Sequence, residues 1–437
     1  MTLVSELELE SFDYTDPALR GERFHEAMAQ LRAQGWLAQG PFGYIVVDRE
    51  AAEFFLRTRD ASFPGMKIAE IFGVSEGPLW EQMRRNILHV NGADHARLRS
   101  LVNPALSPRA VERYRPAMRG FLEGLLADAA RVDPAPPDGV VKCEFVEAFA
   151  KPYPSQVIAE VMGAPLQDAP RLHHWSNWIQ RQFDAVSMAS ERDRIEQAVE
   201  EFYAYAQELV EARRDDPGDD LISTLIAAAD PAHPPERLSD VECINLVFNV
   251  LAGGVDTSQS QLAHAVRLLA EHPQQWELLA KDPSLAETAV EEALRYEPIT
   301  PFTGRIVDQE ITFRDVTFPE GTIVMVCAFT GNRDLDAGAD DGEEFDIAAE
   351  RGKARALTFG AGVHYCLGAN LARLELAEAL TFFAERFSGL ELDGEPQYES
   401  ITGIYGLAKL PVRFTAADLP GSGYPLSTSQ IPLRQVR

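Results

Sequence analysis

One cysteine in a glycine-rich loop constrains the fold of this chain more than any other feature of its sequence. Residues 358–368 read TFGAGVHYCLG, and the stretch that follows, ANLARLELAEALTFFAERF, has the pattern of a long helix. Gly360 and Gly362 permit tight turns with positive φ, and Gly368 permits close approach just past the sulfur. Cys366 is therefore predicted at or just before a helix N-terminus, where free N–H groups and the helix dipole favour ionisation of the thiol.

The residues alone leave four interpretations of Cys366 open. A cysteine nucleophile needs a base, and His364 is close in sequence but lies on the same loop, where it need not face the sulfur. A zinc site needs more ligands than the loop supplies, whereas one thiolate is enough to hold haem iron. A buried, unreactive cysteine is the usual alternative for a lone Cys. The glycine pattern favours a ligand or a nucleophile over that last alternative.

Charge and cysteine content disfavour several classes of protein. The chain has 437 residues and a formal net charge of −28, which disfavours nucleic acid or an anionic membrane as a partner. The four cysteines (Cys143, Cys243, Cys327 and Cys366) are far apart and form no CxxC motif, so neither a disulfide framework nor a structural zinc site is indicated. The acidic N-terminal sequence lacks the pattern of a signal peptide, and no apolar run is long enough to span a membrane. We expect a cytoplasmic protein.

No long linker divides the chain. We expect a single domain over residues 1–415 and a loosely attached, polar tail over residues 416–437. Two proline-rich stretches, 133–139 and 230–236, are predicted to be loops.

Helical periodicity dominates the sequence. A first helix should end at Gly35, with a short strand-like segment after it, and residues 94–297 are predicted to form helix after helix. Strand patterns return over residues 305–329, with a turn at Pro319-Glu320-Gly321. The predicted fold class is mainly α with small β-sheets.

A long central helix is expected in the second half of the chain. Ser239 and Glu242 form an S-x-x-E capping box, and helical character continues to about Glu271. At 1.5 Å per residue, such a helix would be about 50 Å long. Its middle, residues 252–258, reads AGGVDTS. Because paired glycines cost roughly 1 kcal/mol each relative to alanine, they indicate either close approach of another group to the helix or a tolerated kink.

Five motifs together resemble one known family. The cysteine loop matches the haem-binding signature F-G-x-G-x-H-x-C-x-G of the cytochrome P-450 superfamily at every fixed position. Four further segments are similar to motifs of that family and follow its order: His95–Arg99 (H-x-x-x-R), Gly253–Thr257 (the oxygen-activating motif), Glu292–Arg295 (E-x-x-R) and GNRD at 331–334. The resemblance covers nearly the whole chain and is to soluble bacterial members. It implies the cytochrome P-450 fold, with a long central helix over the haem and the cysteine loop beneath it.

The resemblance also implies a cofactor, heme b (iron protoporphyrin IX), and the residues that bind it. Cys366 would be the axial thiolate and metal ligand, with Phe359 packed beside the sulfur and Gly360 and Gly368 nearby in the loop. The residues that match the family's partners for the haem propionates are His95, Arg99, Arg305 and His364. The E-x-x-R pair is expected to be structural.

The implied activity is that of a monooxygenase, which inserts one oxygen atom of O2 into a C–H bond of a lipophilic small molecule. Asp256 would relay protons, and Thr257 would hold water with its hydroxyl group, so these two are the implied catalytic residues. A peroxide-driven peroxygenase and a non-oxidative isomerase or dehydratase are alternatives within haem chemistry, although the Asp–Thr pair disfavours use of peroxide. A helical ligand-binding protein with an inert cysteine is the alternative outside it.

The expected partners are a ferredoxin and a ferredoxin reductase, which would supply electrons from NAD(P)H to a monomeric enzyme. The locally basic segments 97–119 and 351–355 are expected to flank the surface where an acidic ferredoxin docks.

The substrate pocket is expected to be apolar and aromatic, by resemblance to family pockets. The predicted contacts are Phe72, Trp80, Trp178, Phe248, Ala252, Gly253, Ile299, Phe302, Ile404 and Tyr405. The same segments also offer Ile68, Ile71, Leu79, Trp175 and Phe183. These residues do not distinguish a steroid, a terpenoid, a fatty acid, a polyketide or a xenobiotic.

Overall fold

The fold is mainly helical with small sheets, as the sequence predicted, and the described residues form four such sheets. The structure is a computed structural model, and it describes residues 1–132, 140–228, 237–334, 342–351 and 355–416. The loops expected over 133–139 and 230–236, and the tail beyond residue 416, lie outside the described residues. No helix in the described ranges is both long and apolar enough to cross a membrane.

Helices make up most of the described chain. They are α1 (Glu22–Gln34), α2 (Arg49–Arg57), α3 (Gly65–Ile71), α4 (Gly77–Arg85), α5 (Gly92–Val102), α6 (Pro108–Val111), α7 (Arg115–Val132), α8 (Pro152–Met162), α9 (Ala169–Gln180), α10 (Ala185–Ser190), α11 (Arg192–Asp215), α12 (Leu221–Ala227), α13 (Asp240–Gly254), α14 (Asp256–Glu271), α15 (Pro273–Lys281), α16 (Ala286–Tyr296), α17 (Ala328–Arg333) and α18 (Ala369–Arg386). The first helix ends at Gly35, where the sequence placed its end.

The strands form short sheets at the edges of the helical body. They are β1 (Thr2–Leu3), β2 (Leu37–Gly40), β3 (Gly43–Val46), β4 (Ala61–Ser62), β5 (Val140–Glu144), β6 (Phe302–Val307), β7 (Ile311–Phe313), β8 (Val316–Phe318), β9 (Ile323–Cys327), β10 (Phe387–Leu392), β11 (Gln397–Tyr398), β12 (Leu407–Lys409) and β13 (Pro411–Ala416). The largest sheet has the order β2-β3-β9-β6-β4, and β5 pairs antiparallel with β13 in another. The sequence predicted no strand at β5, because it lies within a region read as continuous helix.

The central helix is interrupted, which corrects the prediction of one helix from Ser239 to Glu271. The capping box at Ser239 and Glu242 starts α13 as expected. The helix breaks at Val255, and α14 starts at Asp256. A Cβ on Gly254 would lie 2.4 Å from the Ile158 side chain on α8, so this glycine is required by packing.

The cysteine loop is held by short turns and by its neighbours. Gly360 and Gly362 both have positive φ, and a Cβ on Gly362 would lie 2.6 Å from the carbonyl oxygen of Leu56. Asn332, from the GNRD segment, accepts a 2.6 Å hydrogen bond from the backbone N–H of Leu357. These contacts fix the start of the loop against α17.

The E-x-x-R motif forms a buried ion pair that ties α16 to the chain before the cysteine loop. Arg295 donates to both carboxylate oxygens of Glu292, at 2.7 and 2.8 Å. It also donates to the backbone carbonyls of Gly342 and Glu344. Arg351 donates to the same Glu292 carboxylate at 3.0 Å. The pair therefore has a structural role, as expected.

Candidate functional site

A cavity of about 480 Å³ lies between the cysteine loop and the junction of α13 and α14. Gly253 and Thr257 line one wall, and Cys366 and Gly368 line the opposite part. The two motifs that are far apart in sequence therefore meet across one internal space. Its lining is mostly apolar, which suits a lipophilic ligand.

Cys366 lies just before the N-terminus of α18, as predicted. Its backbone N–H donates to the carbonyl oxygen of Phe359 at 2.9 Å, which closes the loop, and its side chain is open to the cavity. Phe359 lies under the guanidinium of Arg373, at 4.6 Å from the ring centroid. The thiol is therefore presented to the cavity from a fixed backbone.

The sequence predicted that the Cys366 thiol ionises readily. That prediction is wrong when only the protein groups surround the thiol and no metal is bound. Burial raises the pKa of Cys366 above its usual value, although the backbone N–H of Gly368 and the Arg99 guanidinium act in the opposite direction. Desolvation by the surrounding protein outweighs the helix terminus, even though the sulfur faces the cavity. A metal cation bound to the sulfur would supply the missing positive charge.

The interpretations of Cys366 as a zinc ligand or a His-activated nucleophile are not favoured. The described part of the chain holds no group of three or more His, Cys, Asp or Glu side chains placed to bind a metal ion. The His364 ring lies 4.3 Å from the His95 ring, and its Nε2 is 3.0 Å from the Asn91 side chain.

Four cationic or ionisable bases gather at the cavity without an acid among them. His95, Arg99, Arg305 and His364 all line the cavity, as the resemblance implied. Among the described residues, none of the four has an ion-pair partner. Within the described ranges, Arg305, which is 4% exposed, donates only to the carbonyl of its neighbour Gly304, and the buried Nε2 of His95 has no hydrogen-bond partner.

Burial of these bases disfavours their charged forms. It lowers the pKa of Arg305 to about 10. Burial, and then the nearby bases, lower the pKa of His364 to about 4. Buried cations are normally paired with anions. The cluster therefore fits the carboxylates of a prosthetic group, and Cys366 fits the metal of the same group.

The wall formed by α13 and α14 holds one of the two predicted catalytic residues. Thr257 lines the cavity, and its hydroxyl donates to the carbonyl oxygen of Gly253 at 2.5 Å. No side chain fills the space beside Gly253, since a Cβ there would meet nothing within 4 Å. A small ligand can therefore approach the helix backbone at this point.

Asp256, the other predicted catalytic residue, does not line the cavity. It is buried, and Asn177 donates to its carboxylate at 3.3 Å. Burial raises the pKa of Asp256 to about 6, while Asn177 and Arg181 act in the opposite direction. The Asp256 carboxyl group therefore lies toward Asn177 and not in the cavity lining.

Six of the ten predicted substrate contacts line the cavity, and four do not. Those that line it are Phe72, Ala252, Gly253, Ile299, Phe302 and Ile404. Ile68, Ile71 and Phe183 line it as well, whereas Leu79 and Trp175 are core residues.

Competing contacts explain the four predicted residues that lie elsewhere. Phe248 is fully buried against Phe202, at 5.3 Å between ring centroids, and Tyr405 is fully buried and accepts a hydrogen bond from the N–H of Gly21. The two tryptophans lie beneath arginines, Trp178 under Arg181 and Arg194, and Trp80 under Arg84. These aromatic residues stabilise the helical body and its surface.

Sequence reasoning missed several polar residues in the lining. They are Asn86, Gln180, Gln182, Asn249, Ser258 and Glu375. Glu375 had a usable signal, because it stands among Leu371, Ala372 and Leu376 on the apolar face of the helix after the cysteine. The two glutamines follow no pattern that marks a pocket.

Most arginines of the predicted basic surface are paired with acids. Arg97 pairs with Glu242, and Arg113 pairs with Asp219. Arg115 and Arg119 both pair with the buried Glu378. The ion pairs reduce the positive field expected from residues 97–119, and Lys353 lies outside the described residues.

The fold and the cavity define a class: a mainly helical protein that presents one sulfur ligand and a set of bases to a metal-containing, acidic prosthetic group. A family model described as Cytochrome P450 matches residues 43–415. The chain therefore belongs to the cytochrome P450 family, and haem is its cofactor.

Relatives and solved structures agree with the family. Luteothin monooxygenase of Streptomyces thioluteus is 32% identical over 414 residues, which cover 94% of this chain and 97% of the relative. Erythromycin C-12 hydroxylase of Saccharopolyspora erythraea is 34% identical over 75% of this chain and 79% of the relative. The crystal structure of CalO2 matches with a TM-score of 0.82 at 30% identity, covering 93% of this chain and 99% of that one. This chain is thus a P450 monooxygenase of the type found in bacteria.

Proposed function

We propose that this monooxygenase hydroxylates a lipophilic secondary metabolite, with a polyketide-derived molecule as the leading class. The reaction consumes O2, two electrons and two protons, and places one oxygen atom in a C–H bond and the other in water. Electrons come from NAD(P)H through a ferredoxin reductase and a ferredoxin. The observation that carries the proposal is the apolar cavity with Cys366 on one side and the Gly253–Thr257 segment on the other.

The polyketide class is favoured by relatives of this chain. A relative from Bacillus subtilis named for polyketide biosynthesis, cytochrome P450 PksS, is 33% identical over 73% of this chain. The apolar wall formed by Ile68, Phe183, Ile299 and Ile404 suits such a molecule.

Haem b, when bound, supplies the activation of O2 that no amino-acid side chain provides. Cys366 would hold its iron, and Phe359 would shield the sulfur from water. Arg99, Arg305 and the two histidines of the cluster would bind its carboxylates with charge-assisted hydrogen bonds. Such bonds would also satisfy the Nε2 of His95, which has no hydrogen-bond partner in the described part of the chain.

In this proposal, Thr257 and Asp256 have different roles in proton transfer. The Thr257 hydroxyl, at the cavity wall, orients water or a proton toward the reacting oxygen. Asp256 lies behind the wall, and a pKa of about 6 lets it exchange a proton near neutral pH. Asn177 orients its carboxylate.

The test is turnover of the purified holoenzyme with NADH, a bacterial ferredoxin and its reductase. A panel of lipophiles that includes macrolides, a steroid and myristic acid is first screened for a shift of the Soret band. The proposal expects a macrolide to give the tightest shift and to be hydroxylated with stoichiometric use of NADH and O2. Product formed only with added peroxide would favour the peroxygenase, and product formed without an oxidant would favour the isomerase or dehydratase.

We expect salt to have a modest effect on turnover with ferredoxin as the electron donor. Most arginines of the expected docking surface, flanked by segments 97–119 and 351–355, are paired with acids. We therefore expect the turnover rate to decrease by about twofold to fivefold between low and physiological ionic strength. Turnover that is independent of salt would argue against electrostatic steering by this surface.

A further inference from the structure

Two asparagines from different parts of the chain meet at the cavity wall. Asn86 follows α4, Asn249 lies on α13, and both line the cavity. The side-chain oxygen of Asn249 accepts a hydrogen bond from the backbone N–H of Ile87 at 3.0 Å. The side-chain oxygen of Asn86 accepts one from the backbone N–H of Leu88 at 2.9 Å. Two consecutive N–H groups of one turn therefore hold both amides in place.

These hydrogen bonds decide which end of each amide remains free. A backbone N–H can only donate, so each amide turns its oxygen toward that N–H and its NH2 group away from it. Neither NH2 group has a hydrogen-bond partner among the described residues, although Asn86 is only 4% exposed. The polypeptide thus leaves a pair of donors free in the wall of an apolar cavity. Such sparse, fixed polar groups are what orient a ligand in an apolar pocket.

An asparagine one turn earlier on the same helix provides a contrast. Asn245 lies four residues before Asn249, on the same face of α13, but it does not line the cavity. Its NH2 group donates to the carbonyl oxygen of Val241 at 2.7 Å. The donor of Asn245 is therefore used within its own helix, whereas the donor of Asn249 is available to a ligand.

The position of Asn249 along the helix sets its distance from the cavity wall at Thr257. Asn249, Gly253 and Thr257 follow one another at four-residue spacing, and all three line the cavity. The Thr257 hydroxyl donates to the carbonyl oxygen of Gly253, so this stripe continues across the break between α13 and α14. At 1.5 Å per residue, Asn249 precedes Thr257 by about 12 Å along the helix. This spacing suits an extended or macrocyclic molecule.

We propose that Asn86 and Asn249 form a donor pair that binds a carbonyl oxygen of the substrate, at the end of the cavity remote from Thr257. The inference rests on the proposed monooxygenase function and narrows its substrates to lipophiles that carry a ketone, ester or lactone. A carbonyl oxygen has two lone pairs, so it can accept from both NH2 groups. The carbon that is oxidised then lies far from this carbonyl group in the bound molecule.

The first test compares two rings that differ in one carbonyl group, cyclohexadecanone and cyclohexadecane. Their dissociation constants for the purified holoprotein are measured from the shift of the Soret band. The proteins are the wild type, Asn86→Leu, Asn249→Leu and Asn245→Leu. The ratio of the two constants cancels a change in cavity shape that affects both rings.

We expect Asn86→Leu and Asn249→Leu each to weaken binding of the ketone relative to the hydrocarbon by about threefold to tenfold, because one hydrogen bond is lost. Asn245→Leu is the matched control, since it removes an amide from the same helix face outside the cavity, and the ratio should stay at the wild-type value. A ratio that is unchanged in both cavity variants would overturn the proposal.

The second test observes the acceptor itself. Infrared difference spectra of the holoprotein with cyclohexadecanone carrying ¹²C=O or ¹³C=O isolate the C=O band of the bound ketone. Hydrogen bonding lowers the frequency of this band, so we expect a lower frequency in the wild type and in Asn245→Leu than in Asn249→Leu. The same frequency in all three proteins would overturn the proposal.

A further variant covers the case in which Asn249→Leu does not fold. Asn249→Asp keeps an oxygen for the N–H of Ile87 and removes only the NH2 group, so at pH 8 it should raise the C=O frequency as well.

Binding and turnover separate this subsite from the activity. A wild type that hydrogen-bonds the ketone through these asparagines but forms no product from NADH and O2 would overturn the proposed function and leave the subsite in place. A wild type that binds neither ring would overturn both.

Discussion

Two arginines with nearly equal burial have different surroundings. One is paired with an acid of the protein itself, and the other lies beside the cavity with the surroundings expected of a residue that binds an anionic ligand. Arg295 is 5% exposed and Arg305 is 4% exposed. Arg295 contacts Glu292 and two backbone carbonyls, whereas Arg305 donates only to its neighbour's carbonyl among the residues that the structure describes. A buried charge without a partner is costly, so its presence beside a cavity indicates that an anion completes the site.

The same contrast extends to the groups around each arginine. Arg351 shares the Glu292 carboxylate with Arg295, so the positive and negative groups of that cluster are in contact. Around Arg305 the neighbours are other bases, and they lower the pKa of His364 further after burial. The two kinds of cluster should therefore respond differently to substitution.

Breaking the paired cluster should destabilise the protein most. Glu292→Gln leaves Arg295 and Arg351 buried without their carboxylate, at a cost of about 3–5 kcal/mol in the free energy of unfolding. Urea unfolding followed by circular dichroism measures the loss. A loss below about 1 kcal/mol would show that the pair is not structural.

Removing the positive charge of Arg305 should weaken haem binding without destabilising the fold of the polypeptide. Arg305→Met removes a charge-assisted hydrogen bond to the cofactor of about 1.5–3 kcal/mol, which is about a 10- to 150-fold loss of haem affinity. Urea unfolding of the protein before haem is added should show equal or greater stability than the wild type, because a desolvated cation is gone. Lower stability of that form would contradict the view that Arg305 is a desolvated cation without an anion in the haem-free protein.

The threonine at the cavity wall and the aspartate behind it should also differ. Thr257→Ala removes the hydroxyl that lines the cavity, and we expect about a tenfold loss of coupling between NADH use and product. Asp256→Asn should slow turnover with a smaller loss of coupling, since its side chain contacts Asn177 and not the cavity. Product and hydrogen peroxide are measured together, and unchanged coupling in Thr257→Ala would remove its assigned role.

The smallest effect expected is on the pH dependence of stability. In the protein without haem, burial and the neighbouring bases lower the pKa of folded His364 to about 4, below its unfolded value near 6.5, so its contribution to stability is complete above pH 6.5 and is lost as the pH falls toward 4. Allowing for its partial exposure, we expect His364→Gln to reduce the loss of stability between pH 7 and pH 5 by about 1 kcal/mol. Parallel pH profiles for the variant and the wild type would contradict this sign.

Features that depend on residues close in sequence were predicted correctly, whereas the directions of several side chains were not. The Cys366 loop, the capping box at Ser239 and the helix end at Gly35 depend on nearby residues, and the structure agrees with all three. The sequence did not predict the break at Val255, and Ile158, against which Gly254 packs beside that break, is distant in sequence.

The candidate site shows the same division between local and distant information. Phe248 and Trp178 lie on helices that form the cavity. However, the Phe248 ring packs against Phe202, and the Trp178 ring packs against Arg181. Glu375 carries a local signal on the apolar face of α18, but its hydrogen-bond partner Ser258 on α14 is distant in sequence. A motif therefore located the cavity, and tertiary contacts decided which side chains reach it.

The bond between the Cys366 sulfur and the haem iron is the central claim, and the reduced, CO-treated absorption spectrum tests it most directly. The wild type and Cys366→His are purified with haem, reduced and exposed to CO. The account predicts the strongly red-shifted Soret band of thiolate ligation in the wild type and a band typical of histidine ligation in Cys366→His. A wild-type spectrum of the histidine-ligated kind, or the same red-shifted band in both proteins, would contradict it.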